Sequence, residues 1–328
     1  MLNRRHLAGL LAGAALLPGP GLAQRRTADA ATAMPAAGER PWKAQVPTLR
    51  IGLLGGETET DRLGRFGAYR KLLEETFRLP VRLYPASDYA GVLQAFGAQQ
   101  IEMASLGPSG YAGAWLDTNG GVEPLLVPEE KDGSIAYVSV LVVRADSSIT
   151  GLEQMRGRSL AWADPNSTSG YLIPRFALRR AGIGLEAGQY FNRTGFAGGH
   201  EQGVIAVLQK QYDGAVTWAS GQGDPALGFT RGILRAMVDK GMLAMSDLRI
   251  VWTSEPIING PLTVRTALPA AFKEDLKAFH LALPKAHPAI YEDIEKGGGT
   301  GYREVTHAQF QLLVDLRREE ANERRRRS

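Results

Sequence analysis

Ser167, Thr168 and Ser169 stand in a row in the stretch ADPNSTSGYLIPRF, with Gly170 directly after them. Ahead of them Asp164, Pro165 and Asn166 read as a turn, and behind them the pattern becomes helical. Three chemistries use hydroxyls placed this way: a helix cap, an enzyme's nucleophile and a cradle for an anion. A cap needs one side chain that accepts from the free N–H groups of the first turn, so three exceed the need. A nucleophile elbow needs G-x-S-x-G, which sets the serine on a strained strand-to-helix turn. DPNSTSGYL lacks the first glycine, and no triad acid accompanies His200, the histidine at a workable distance. A helix start offers amide donors and a partial positive charge. Hydroxyl donors added there shape a site for a tetrahedral oxyanion, without any arginine. Pro174 falls near the first turn, where its missing N–H is tolerated.

Metal chemistry finds little support. The histidines are His6, His200, His280, His287 and His307, and none forms a HExxH pair. His200 and Glu201 are adjacent, so on a helix they point to different faces. There is no cysteine, which removes thiolate ligands, a Cys nucleophile, disulfides and an N-terminal lipid anchor. No metal and no cofactor is expected.

The N-terminus reads as an address label. Arg4 and Arg5 precede LAGLLAGAALLPG, and small residues lead to a cleavage site after Ala23. A membrane span needs about 20 apolar residues, whereas this run is shorter and broken by Pro18 and Pro20. Export to the periplasm is expected, by the Sec route or, through NRRHLAG, by the twin-arginine route. Loss of residues 1–23 removes two arginines and no acid, so the net charge falls from +4 to +2. With the terminal ERRRRS read as a solvated tail, nothing argues for nucleic acid.

The remaining length suits two lobes. Residues 24–47, rich in Ala, Pro and charge, read as a flexible leader. TLRIGLLGG and VRLYPA read as strands, DRLGRFGAYRKLLEETFRL and SDYAGVLQAFGAQ as helices, and IEMASLGPSGYAGAW as a strand, a turn and a helix start. This alternation implies an α/β fold with open sheets. AYVSVLVVRADS is expected to cross into a second lobe, and DLRIVWTSEPIINGPLTVRTAL to cross back. The predicted architecture is bilobal: residues 48–142 with 256–328 as one lobe, 143–255 as the other, and a cleft between.

AWADPNSTSGYLIPRF, FAGGHEQGVIAVL and DGAVTW together resemble the phosphonate-type periplasmic substrate-binding proteins of ABC importers. SDYAGVLQAF, SLGPSGYAGA, VLVVRADS, GRSLAWADP and WTSEPIINGPLTVR extend the resemblance over Leu49 to Tyr302. It implies a type II periplasmic-binding-protein-like fold, two open mixed sheets joined by two crossing strands. It implies that Ser167, Thr168, Ser169 and the amides around Gly170 hold phosphorus-bound oxygens, with His200 on the facing loop and Tyr89 and Tyr111 closing from the other lobe. Asp213 is a further ligand-binding candidate, with a structural role as its alternative. Trp218 reads as a pocket wall or as core. Members that bind an aminoalkyl phosphonate place carboxylates at the ligand's ammonium. TWASGQG and IINGP show none, which favours methylphosphonate, phosphite or phosphate. The expected protein is a monomer that works with a membrane permease and its ATPase and performs no chemistry. An exported hydrolase using Ser167 or Ser169, and a ligand-sensing adaptor with the same clam fold, are the alternatives.

Overall fold

Leu49, Ile51 and Leu53 are buried in the first strand, and Gly52 between them leaves room for Ile101 and Val92, which a Cβ would meet at 2.7 and 2.9 Å. In the computed structural model, residues 33–36, 38, 40–55, 57–186 and 188–327 are described. The expected signal segment 1–23 lies outside them. The strands, in chain order, are β1 (Leu49–Leu53), β2 (Val81–Pro85), β3 (Met103–Ser105), β4 (Val122–Glu129), β5 (Ala136–Arg144), β6 (Ser159–Trp162), β7 (Arg193–Phe196), β8 (Gly214–Ala219), β9 (Leu248–Thr253), β10 (Ile257–Ile258), β11 (Leu262–Arg265) and β12 (Gly301–Glu304). The helices are α1 (Glu59–Phe77), α2 (Tyr89–Gly97), α3 (Pro108–Asp117), α4 (Ile173–Arg180), α5 (His200–Leu208), α6 (Ile233–Asp239), α7 (Ala270–Ala286), α8 (Pro288–Glu295) and α9 (Gln311–Arg327).

Two mixed sheets result. The first has the order β12-β4-β11-β3-β1-β2, and the second β10-β5-β8-β6-β7 with β9 also on β5. β1 runs parallel to β2 and β3, and β6 runs parallel to β7 and β8. The remaining pairs are antiparallel. The parallel strands are fed by crossover helices with local start signals. Thr58 caps α1 by accepting the Asp61 amide, Asp88 caps α2 by accepting the Gly91 amide, and Pro108 opens α3.

The crossings are shorter than the sequence suggests. β5 pairs with β8, β9 and β10 along its length, so the expected boundary at 142 falls inside a second-sheet strand. The chain changes sheets within 130–135 and returns within 259–261. Backbone stitches these segments together: the Asn259 amide donates to the Ile135 carbonyl at 2.7 Å. The Asn259 side chain donates to the Pro128 carbonyl at 2.8 Å and the Glu130 carboxylate at 3.0 Å. Gly260 is required there, because a Cβ would stand 2.1 Å from the Leu106 carbonyl oxygen.

The leader expectation needs correction. Trp42 and Val46 are buried in the first-sheet core, where Trp42 packs on Phe272 and Phe77 and its indole N–H donates to Asp275 at 2.7 Å. An indole buried this deeply removes a large apolar area from water, so residues 40–47 belong to the domain. A separate small cluster of Ala112, Leu172, Leu313 and Val314 joins α3, the turn before α4 and α9.

Candidate functional site

The hydroxyl run forms a wide, π-helical turn. Ser167 caps it by accepting the Gly170 amide at 3.0 Å, and the Leu172 amide returns to the Ser167 carbonyl at 3.0 Å. The wide turn has a local cause. Pro174 has no N–H to give the Gly170 carbonyl, which instead accepts the Ala163 amide at 3.0 Å. Turns of this type gather at functional sites. Here the turn follows β6 and aims Ser167, Thr168 and Ser169 into a cavity of about 240 Å³ between the two sheets.

Helix starts surround that end of the cavity. Tyr89 opens α2, Gly107 and Pro108 begin α3, and His200 opens α5, and all four line the cavity. Their free amides and aligned dipoles make the region attractive to an anion. The Thr168 hydroxyl already accepts one such amide, that of Ser109, at 2.8 Å. The Tyr89 phenol faces Ser167, and the Tyr137 phenol faces Ser169 and Thr168, across the same cavity. Burial pushes both phenols up, that of Tyr137 to about 12, so both stay protonated and able to donate.

His200 is held between two hydroxyls. Its Nε2 shares a hydrogen bond with Ser167 Oγ at 3.0 Å and its Nδ1 shares one with Thr217 Oγ1 at 3.3 Å. Burial, with the Lys296 ammonium adding to it, pulls the imidazole down to about 3. The ring is therefore neutral. A Ser–His pair at this distance invites a nucleophile reading, but the third partner is a threonine hydroxyl instead of a carboxylate, and Ser167 Oγ already serves the cap.

Three sequence-derived candidates stand elsewhere. Tyr111 is on the buried face of α3, its hydroxyl sharing a 2.7 Å hydrogen bond with His307 Nδ1 and its ring against Phe310. It packs the C-terminal segment onto the first lobe. Asp213 accepts the amide and hydroxyl of Ser159 at 2.8 and 2.7 Å. This is the N-terminal edge of parallel β6 and β8, whereas ligands of open α/β sheets sit at carboxyl ends. Gly170 lies behind the cradle, with its amide bound to Ser167. A Cβ there would stand 2.4 Å from Ala163 Cβ and 2.9 Å from His200 Cε1. Trp218 does line the cavity, edge-on to Tyr137 and beneath the Arg231 guanidinium.

Several cavity residues escaped the sequence reading: Tyr137, Arg231, Asn259, Arg62, Arg65 and Lys296. Arg231 is buried and forms a two-pronged pair with Glu130 at 2.5–2.9 Å. Lys296 is carried by the run EKGGGTG, and those glycines were the available signal. Gly297 and Gly298 have φ of 110° and 69°, and a Cβ at Gly299 would stand 1.9 Å from the Glu129 carbonyl oxygen. Among the described residues, no group of three or more His, Asp or Glu side chains could hold a metal ion.

Comparison with known proteins follows the same lines. A family model described as an ABC transporter, phosphonate, periplasmic substrate-binding protein matches residues 51–310. The chain is 29% identical over 238 residues to a phosphate-import protein of Mycolicibacterium smegmatis, covering 70% of each. It is 27% identical over 277 residues to a phosphonates-binding periplasmic protein of Escherichia coli, covering 83% of this chain and 76% of that one. In fold it is similar to PhnD1 from Prochlorococcus marinus in complex with methylphosphonate. That match has a TM-score of 0.70 at 18% identity, over 84% of this chain and 98% of the other.

Proposed function

The chain belongs to the phosphonate family of periplasmic substrate-binding proteins of ABC transporters, and from that premise we propose that it captures a phosphorus oxyanion between its lobes. One observation carries the reading. The hydroxyls of Ser167, Thr168 and Ser169 converge with the helix starts at Tyr89, Pro108 and His200 on one cavity. Hydroxyl and amide donors match the oxygens of a phosphonate, phosphite or phosphate. The Tyr89 and Tyr137 phenols add donors from facing sides. Neutral His200 holds Ser167 in place and adds no charge of its own.

The mechanism is closure. The lobes turn about the stitched segments 130–135 and 259–261, and the ligand bridges Tyr89 and α3 of the first lobe to the cradle of the second. Because these groups meet only when the lobes are together, the ligand binds the closed form better and shifts the population toward it. The closed monomer then docks on a membrane permease served by an ATPase. Export by residues 1–23, through Sec or the twin-arginine route, places it in the periplasm. The ligand leaves unchanged, since no carboxylate supports the Ser167–His200 pair.

Isothermal titration with phosphate, phosphite, methylphosphonate and 2-aminoethylphosphonate tests the reading. Binding of at least one, with a change in Trp218 fluorescence, is expected. Absence of heat with all four would sink it.

A further inference from the structure

The cavity does not end at the hydroxyl cradle. It runs into the first lobe as far as Arg62, Arg65 and Lys296, with Glu57 and Glu295 beside them. At about 240 Å³ it has room for roughly eight waters, more than a single tetrahedral anion fills.

The charges at this far end are unequal in their pairing. Glu57 is ringed by cations: Arg65, Lys296 at 3.4 Å and Lys240 at 4.0 Å. Burial works against its ionisation, yet Lys296, Arg65 and Lys240 together hold its carboxyl below the ordinary value. Glu295 accepts from Tyr302 at 2.7 Å and faces Arg231 at 3.5 Å. Neither acid is free to receive a ligand's ammonium.

Arg62 is the opposite case. It is 4% exposed, and its Nη1 donates to the carbonyls of Leu53, Leu54 and Ala86. Its Nε has no partner, and no carboxylate of the described residues pairs with it. Four cations line the cavity, Arg62, Arg65, Arg231 and Lys296, against Glu57 and Glu295, with Glu130 behind Arg231. A buried guanidinium without a counter-ion is costly, and an anion in the cavity relieves it. Lys296, with 21% of its side chain exposed, faces the same space.

Resting on the oxyanion reading above, we propose that Arg62 and Lys296 form a second anion station, so that the preferred ligand is anionic at both ends. The class is a short phosphonate carrying a carboxylate or a second phosphorus oxyanion. The phosphonate sits in the Ser167–Ser169 cradle and the second group reaches Arg62 and Lys296. An ammonium at that end meets surplus positive charge.

The experiment compares phosphonoacetate, methylphosphonate and 2-aminoethylphosphonate by isothermal titration on the full mature protein, its Lys296→Gln variant and its Arg62→Gln variant. Wild type should bind phosphonoacetate about tenfold or more tighter than methylphosphonate, the scale of one charge-assisted hydrogen bond. Lys296→Gln should erase most of that preference, weakening phosphonoacetate clearly more than methylphosphonate, which loses only the longer-range field that Lys296 exerts near His200. Arg62→Gln should do the same if it folds, and the wild-type comparison decides the matter if it does not. Equal or weaker binding of phosphonoacetate, or tighter binding of 2-aminoethylphosphonate, overturns the second station and leaves the oxyanion reading standing. Silence with every ligand overturns both.

Discussion

The Thr168 hydroxyl of the second lobe accepts the Ser109 amide of the first at 2.8 Å, across the cleft. It ties the hydroxyl run to the start of α3, so the proposed closure and the proposed anion site share one side chain. Replacing Thr168 and Ser169 together by Ala should weaken ligand binding by about 1.5–3 kcal/mol for each lost bond to a charged group. Titration calorimetry with the best-binding phosphorus ligand reads the loss, and circular dichroism confirms the fold. Wild-type affinity in the double variant would end the cradle assignment.

Trp42 makes a prediction about where the domain begins. Its ring fills the space between Phe77 and Phe272, and its N–H bonds Asp275. Trp42→Ala should destabilise by about 3–5 kcal/mol, the usual range for removing a buried aromatic. A urea unfolding midpoint unchanged from wild type would restore the flexible-leader reading for residues 40–47.

The same residue shows where sequence reasoning reaches its limit. One tryptophan in a Pro- and Ala-rich stretch has no periodicity to announce burial, since its partners lie on α1 and α7. Ser167, Thr168 and Ser169 were legible because a cap, a turn and a helix start are local events. His200 and Tyr89 were legible through the family resemblance. Tyr111 was misplaced because the stretch that begins α3 at the cleft turns its next residues into the core. Tyr137, Arg231 and Arg62 come from elements far apart in sequence, and only sheet pairing brings them to one cavity. The alternation of strands and helices gave two mixed sheets, but the crossings hid in 130–135 and 259–261, where no strand pattern exists.

His280 provides a pH test independent of any ligand. It is buried, shares a hydrogen bond with Tyr69 at 2.7 Å, and burial pulls its imidazole from 6.5 to about 4. The ring is neutral in the fold and takes up a proton when the chain unfolds. Between pH 6.5 and about 4 the unfolded state binds more protons, so stability held above 6.5 is lost as pH falls. His280→Gln cannot titrate. The wild-type advantage over it should therefore shrink by about 1.4 kcal/mol for each pH unit in that window. Urea titrations at pH 6.5, 5.5 and 4.5 supply the difference, and a constant gap would refute the neutral assignment.

Arg317 on α9 reaches over Gly113, where a Cβ would stand 3.1 Å from its Nη2, and touches the turn that leads into the cradle. It donates to Asn166 Oδ1 at 2.5 Å and to the Pro165 carbonyl at 3.2 Å. Farther along α9, Glu323 accepts from Arg175 and Arg179 of α4 at 2.6 and 2.7 Å. The helix lies against α3 of the first lobe through Leu313 and Val314, so it carries first-lobe packing and second-lobe ion pairs at once. If α9 travels with the first lobe, these bonds exist only while the lobes are closed, and they favour that form. Arg317→Ala then weakens ligand affinity by about 1 kcal/mol, near fivefold, chiefly through faster dissociation. The unfolding midpoint should fall as well, because Arg317 also pairs with buried Glu320 at 3.0 Å. If α9 instead travels with the second lobe, stability drops and affinity holds. Stopped-flow dissociation on the variant separates the two, since only a latch moves the rate.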